Sequence, residues 1–391
     1  MSQSLCTQEI HWVDTEKSLN ELCQRWQASN ILAVDTEFMR SQTYYPIAGL
    51  IQVNDGNANY LIDPVAIADC SAFAALLINP TIVKVLHSCS EDLEVFQRLL
   101  NVVPVNLFDT QIAAALCGYG FSVGYGNLVK AILNKDLPKT ETRSDWLQRP
   151  LSASQIEYAA IDVEDLFQLA KILVLKLKNV DRLFWLTEEC EHILQTYLEN
   201  QDENKCHVRF KQAWKLNPQK LGVLIKLAVW RERQAKQRDI PRNRVVKEHS
   251  LLDIAMTAPN HVGQLRRFDG IAERMIRTDG EHLIQLVQEA MAVDPADYPK
   301  AMDKPLTNSE NKWVKAMRAR IVALAEELDV APEILLKKRD YEAITRAFIH
   351  KEPLDTAEIA SHLKSTVGGW RYAIVAEPLA DVIGSIQSLD D

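Results

Sequence analysis

The stretch ILAVDTEFMR, residues 31–40, begins with four apolar residues that predict a buried strand and then places two carboxylates, Asp35 and Glu37, in its path. Side chains alternate faces along a strand, so these two acids point the same way while Val34 and Thr36 face the other side. Two like charges side by side on a half-buried strand repel, and a buried carboxylate is costly unless something neutralises it. A divalent cation does so directly. Hard cations such as Mg²⁺ take carboxylate oxygens and water, and a two-metal site draws its acids from several segments of chain.

Two further segments offer such acids. In LHSCSEDLEVF a strand gives way to a helix, Ser88 or Ser90 can cap it, and Asp92 falls in its first turn, where an acid suits the helix dipole. Taken alone, Asp92 reads as a helix-start residue. In EYAAIDVEDL, Tyr158 and Asp162 are four apart on a helix and share a face. Alone, that pair reads as an ordinary surface contact.

An Asp-x-Glu strand, an Asp after a strand-to-helix turn and a Tyr-x-x-x-Asp helix, in this order, resemble the DEDD 3′-to-5′ exonucleases in their tyrosine variant. The histidine variant would carry a His five residues before the last Asp, where this chain has Glu157. LAVDTEF, TYYPIAGLIQV, LHSCSEDLEVF, DTQIAAALCG, RSDWLQRPL and EYAAIDVEDL together resemble the ribonuclease D family, and the carboxyl-terminal part resembles its tandem HRDC domains. The resemblance implies an α/β exonuclease domain, a ribonuclease H-like mixed sheet flanked by helices, over residues 1–205. Two all-α helical-bundle HRDC domains would follow, over 212–293 and 306–391. It implies Asp35, Glu37, Asp92 and Asp162 as ligands of two Mg²⁺ or Mn²⁺ ions, with Tyr158 orienting the attacking water. It also implies hydrolysis of RNA from the 3′ end to nucleoside 5′-monophosphates, with tRNA precursors and other structured RNA carrying 3′ extensions as substrates. A monomer is expected.

Length and composition are compatible with this. At 391 residues, 47% hydrophobic and 25% charged, the chain has the composition of a soluble multidomain protein, and it contains no apolar run long enough to span a bilayer. MSQSLCTQEIHWVD carries no basic segment followed by an apolar one, so a cytoplasmic protein is expected. The seven cysteines form no Cys-x-x-Cys pair and predict neither a disulfide framework nor a zinc site. The net charge of −9 is unevenly spread: residues 1–200 hold 14 Lys and Arg against 25 Asp and Glu, whereas residues 205–249 hold 13 basic against 3 acidic.

LIQVNDGNANYLID (50–63) predicts a hairpin around Asn-Asp-Gly-Asn, TIVKVLHS (81–88) a buried strand, and SEDLEVFQRLLN a helix with Leu93, Phe96 and Leu100 on one face. Residues 152–200 carry helical spacing alone, and the polar 201–215 predicts a linker. A helix from Pro218 to near Pro241 should bury Leu221, Leu224, Ile225, Ala228 and Val229. The Pro- and Asp-rich 293–310 marks a second boundary. Trp230 and Trp313, each in the opening amphipathic helix of a carboxyl-terminal segment, suggest a diverged duplication.

Several other residues keep two readings. Asp109 reads as a helix cap more than a fifth ligand, and Glu164 and Asp165 yield to Asp162, which alone has the Tyr158 spacing. His87 either touches substrate or fills the core. Tyr44 and Tyr45 either stack on unpaired bases or pack inside. Arg143 is a candidate phosphate contact beside Trp146, which reads as packing. Arg231, Arg233 and Lys236, in the basic block, are candidate RNA backbone contacts against the alternative of a solvated helix face. Two competing functions stay open: a 3′-to-5′ DNA exonuclease using the same acids, and a non-catalytic RNA-binding protein. The intact acid set with Tyr158 weighs against the second.

Overall fold

A computed structural model describes residues 6–137, 141, 144–349 and 356–390. The chain runs through β1 (Ile10–Val13), α1 (Glu16–Trp26), β2 (Ile31–Met39), β3 (Ile47–Asn54), β4 (Asn59–Ile62), α2 (Ser71–Leu77), β5 (Val83–Leu86), α3 (Ser90–Leu100) and β6 (Leu107–Asp109). Helices α4 (Thr110–Leu116), α5 (Tyr125–Leu133), α6 (Ala153–Asn179) and α7 (Leu183–Glu199) follow. Among the described residues the strands form one mixed sheet in the order β1-β4-β3-β2-β5-β6. Strand β2, which carries Asp35 and Glu37, lies inside it, antiparallel to β3 and parallel to β5.

The predicted hairpin is present, with β3 and β4 antiparallel and the Asp55 carboxylate accepting from the Asn57 and Ala58 main chain at 3.0 and 3.2 Å. Gly56 in its turn has φ of 92°, a left-handed conformation that favours glycine. The burial of β3 does not alternate: Gly49 through Asn54 are all buried. Helices α3 and α6 both pack on β2 and β3, and neighbouring β2 residues meet different helices, so both faces are covered. Helix α3 buries Leu93 and Phe96 as expected, together with Asp92 and Val95, whereas Leu100 is only partly covered. Helix α6 begins at a capping box in which Ser152 and Gln155 satisfy each other's main chain.

The carboxyl-terminal half continues with α8 (Pro218–Arg238), α9 (Arg242–Val245), α10 (Glu248–Thr257), α11 (Glu273–Met291), α12 (Glu310–Leu328), α13 (Pro332–Leu335), α14 (Lys338–Phe348), α15 (Thr356–Thr366) and α16 (Gly369–Asp390). Helix α8 starts at Pro218 behind an Asn217 cap, and it buries Leu221, Leu224 and Ala228 as expected, but Ile225 and Val229 are only partly covered while Val223, Leu227 and Trp230 are buried instead. The reason is packing on several sides, by α9, α10, α11 and the preceding turns. The segment expected to be a linker, 201–215, instead forms two 3₁₀ turns and sinks Cys206, Phe210 and Ala213 into the same core. The α8–α9–α10 and α12–α13–α14 segments share an order of long helix, four-residue helix and helix of 10 or 11 residues, and both long helices end at a left-handed Asp, Asp239 or Asp329. That parallel supports the duplication.

The described residues divide into two compact units, one of 6–39, 47–195 and 306–390, the other of 40–46 and 196–305. The last helical segment therefore belongs with the sheet. Trp370 stacks on Trp185 of α7 with centroids 4.2 Å apart, and its Nε1 donates to the buried Glu189 at 3.0 Å. Arg371 pairs with the same Glu189, and the Ala331 main-chain N–H donates to the Ala115 carbonyl at 3.0 Å. Trp370 is only 4% exposed, so Trp370→Ala is expected to cost ~3 to 5 kcal/mol. Denaturant titration of the two proteins checks this, and a loss below ~1 kcal/mol would show that the stack does not hold the segment.

Candidate active site

Asp35 and Glu37 stand on β2, whose main chain is held by ladders on both sides, so their separation is set by the strand itself. Helix α6 brings Asp162 to them: ligand oxygens of Asp35, Glu37 and Asp162 all lie within 4.8 Å of one another. On the opposite face of β2, Thr36 Oγ1 donates to Asp92 Oδ1 at 2.5 Å, which ties the first turn of α3 to the strand. Asp92 is buried and its charge acts on Glu37, but it is not part of the close trio. Tyr158, one turn before Asp162, hydrogen-bonds to it, and its ring lies against the buried Trp146 at 6.1 Å.

The protonation behaviour follows from burial and then from mutual repulsion. Burial, with the charges of Asp35, Asp162 and Asp92, pushes Glu37 up to about 10, and burial raises Asp35 to about 6. Burial and the Asp35 charge hold Asp92 and Asp162 well above the usual carboxylate range. Burial and the neighbouring acids also raise the Tyr158 hydroxyl, which stays protonated and can donate. Without a cation the group cannot carry its full charge. Its donor set is composed of hard carboxylate oxygens, which fits divalent metal and not a soft ion.

Three residues around this group escaped the sequence reading. Tyr125 at the start of α5 donates its hydroxyl to the Asp162 main-chain carbonyl, and its ring meets His87 edge-on at 5.3 Å. Lys135 pairs with Asp165 at 2.9 Å, and its charge opposes the rise of the Asp162 carboxyl. Gln52 sits directly across the ladder from Asp35, is 0% exposed, and neither of its side-chain amide atoms has a hydrogen-bond partner among the described residues. An uncharged polar residue in the fully buried half of the predicted hairpin was the available signal for Gln52. Nothing local marks Tyr125 or Lys135.

The remaining expectations separate by burial and pairing. Asp109 accepts from the Gln111 and Ile112 main chain as the cap of α4, and also from Ser88 and Cys89. Glu164 accepts from Thr7, Gln8 and Asn59, so it fastens the chain near β1 to α6. His87 shares a 2.9 Å hydrogen bond with Thr110 and packs on Tyr125. Trp146 is packing, as read, and Arg143 lies outside the described residues.

In the second unit Tyr44 is core: its hydroxyl bonds Glu232 and Arg242, and Asp239 accepts from the main chain of Tyr44 and Tyr45 at 3.0 Å. Tyr45 packs partly buried against that core. The basic block is largely spent on internal pairs. Arg231 is 6% exposed, with its guanidinium 4.7 Å from the Phe210 ring centroid, so burial takes it away from any RNA backbone. Arg233 and Lys236 both pair with Glu203, at 2.9 and 3.0 Å. Three cations outside these pairs, two from the block and one beyond it, lie together. A groove of about 370 Å³ is lined by Asn243, Arg244, Lys247, Arg274 and Thr278, and among the described residues none of those three cations has an ion-pair partner.

Comparison with known proteins agrees with this geometry. Residues 10–178 match the 3′-5′ exonuclease family and residues 220–287 the HRDC domain. The chain is 41% identical to ribonuclease D of Pseudomonas paraeruginosa over 96% of its own length and 98% of the relative's. It is 34% identical to ribonuclease D of Escherichia coli over 95% of its length and 97% of the relative's. The crystal structure of Escherichia coli RNase D, described as an exoribonuclease involved in structured RNA processing, superposes with a TM-score of 0.85 at 33% identity, covering 96% of this chain and 99% of that one. Identity at this level along almost the whole of both chains, on the same fold and with the acids converging as the motif requires, means that the chain belongs to the ribonuclease D family and is a 3′-to-5′ exoribonuclease acting on RNA.

Proposed function

We propose that Asp35, Glu37, Asp92 and Asp162 hold two divalent ions, Mg²⁺ or Mn²⁺, and that Tyr158 orients the water that attacks the last phosphodiester of an RNA 3′ end. The observation that carries this is the convergence of three carboxylates within 4.8 Å, with protonation forced on them by burial and by each other. Bound there, the ions would lower the pKa of a bound water and offset charge on the departing 3′ oxygen. The protein's part is positioning. Strand β2 fixes Asp35 against Glu37, Thr36 holds Asp92, and the Tyr158 hydroxyl, which keeps its proton and so is not available as a base, serves as a hydrogen-bond donor to the reacting oxygens.

In this reading the products are nucleoside 5′-monophosphates and the substrates are tRNA precursors and other structured RNA with 3′ extensions. The protein works as a monomer. Seven free cysteines suit the reducing cytoplasm. Among the described residues no helix is long and apolar enough to cross a membrane. The parallel order of helices supports 306–391 as a second HRDC-like domain after a first at 212–293. For RNA contact, Arg244, Lys247 and Arg274 replace Arg231, Arg233 and Lys236.

Asp35→Asn is expected to lower stepwise shortening of a labelled, 3′-extended RNA by at least ~10³-fold, since loss of metal-borne charge stabilisation is worth several kcal/mol, while circular dichroism stays unchanged. Retained activity would remove the site assignment, and preference for matched single-stranded DNA would favour the DNA exonuclease.

A second expectation concerns pH. Glu37 titrates near 10 when folded and in the ordinary carboxylate range when unfolded, so between those values the folded state holds the extra proton. Stability of the metal-free protein must then fall as pH rises through that window. Thermal melting in chelator from about pH 5 to about pH 8 should show a fall that is shallower in Glu37→Gln, and Mg²⁺ should reverse it by binding the ionised form. Equal slopes in both proteins would contradict the linkage.

A third concerns the groove. Replacing Arg244, Lys247 and Arg274 with Ala should weaken RNA binding and flatten its salt dependence by ~0.7 to 0.9 per lost phosphate contact, measured by anisotropy at several salt concentrations. Arg233→Ala should change neither.

A further inference from the structure

Cationic side chains gather a second time in the unit that contains the sheet, at a cavity of about 100 Å³ between α7 and the last helical segment. Its lining includes His192 of α7, Lys337 and Arg339 at the start of α14, Thr366 at the end of α15, and Arg371 of α16. One carboxylate, Asp340, also lines it. Asp340 is engaged, accepting from the Lys337 main-chain N–H at 2.8 Å and lying 3.6 Å from Arg339. Arg371 is bound to the buried Glu189 and to the Ile334 carbonyl, so its position is fixed. Lys337 is half-buried and has no ion-pair partner among the described residues.

Three cations held this close repel one another. The ammonium of Lys337 is lowered by burial and then by the charges of Arg371 and Arg339, against the opposing carboxylates of Glu189 and Asp340, and His192 is lowered by burial, which Glu189 opposes and Lys337, Arg371 and Arg339 reinforce. In a chain of net charge −9, unfavourable positive charge of this kind is an arrangement that a bound anion would relieve. The chemistry of the anion follows from the lining. Arg339 presents a guanidinium, Lys337 a point charge and Thr366 a hydroxyl, while Arg371, its fork held by Glu189, adds positive charge at a fixed place; these suit tetrahedral phosphate oxygens. The volume is enough for one phosphate group.

We propose that this cavity, enclosed by His192, Lys337, Arg339, Thr366 and Arg371, is a phosphate-binding site that clamps the last helical segment to α7 when filled. The phosphate is either a backbone group of the RNA substrate or free inorganic phosphate. The proposal is independent of the metal assignment, because none of these residues belongs to the acid group.

The test uses the full chain in chelator, so that phosphate cannot bind through metal. Thermal melting is followed as inorganic phosphate is titrated against chloride of matched ionic strength, for wild type, Lys337→Met and Arg339→Gln. Without phosphate, Lys337→Met should melt at or above the wild-type temperature, since it removes a repelled charge. With phosphate, the wild type should gain stability in a saturable way, and both variants should lose most of that gain. No saturable gain in the wild type, or the same gain in both variants, overturns the site. The source is then assigned with Asp35→Asn protein and a 3′-extended RNA. Loss of affinity on adding Lys337→Met, with the salt slope reduced by about 1, identifies an RNA backbone phosphate. Unchanged RNA affinity alongside the lost phosphate response identifies the free ion.

Discussion

The structure is organised around the repulsion of carboxylates that the fold does not allow to separate. At an effective dielectric of about 20, two unit charges 4.8 Å apart repel by ~3.5 kcal/mol, and the trio contains three such pairs. A flexible loop would relax that strain by turning its acids outward. The chain prevents this by standing Asp35 and Glu37 on a strand bonded on both sides and Asp162 on a helix of 27 residues packed across the sheet. The rigidity of β2 and α6 is therefore what keeps the three carboxylates together.

Secondary contacts serve the same end. Thr36 holds Asp92 from the far side of β2, Tyr125 grips the carbonyl of Asp162, and Lys135 supplies positive charge one layer behind. Gln52, opposite Asp35 with its amide unpaired, is the most costly residue in this shell, because a buried amide without a partner forfeits ~1 to 3 kcal/mol.

The two helical segments show how charge counting can mislead. The excess of basic residues in 205–249 is real, but Glu203, Glu232 and Asp279 consume much of it, and Arg231 is buried outright. Among the described residues, Lys205, Lys211 and Lys215 stay exposed outside any ion pair, and a second unpaired set, Arg244, Lys247 and Arg274, one of them from outside the block, lines a groove. Pairing partners are distant in sequence, so linear charge density cannot reveal which cations are free.

The sequence by itself determined strands β2 to β5, the helical run that begins at 152, the order of the acids and the spacing of Tyr158 from Asp162. Each depends on periodicity or on neighbours within a few residues, which are local properties of the chain. It also carried the capping role of Asp109. Tertiary structure alone decided that Tyr44 would be core, that 201–215 would be packed and not a linker, and that the last helical segment would join the unit of the sheet through Trp185, Trp370 and Glu189. It alone brought Gln52, Tyr125 and Lys135 to the acids. Those outcomes depend on contacts between residues far apart in sequence, where the pairing of side chains is settled by packing and by the cost of leaving a buried charge alone.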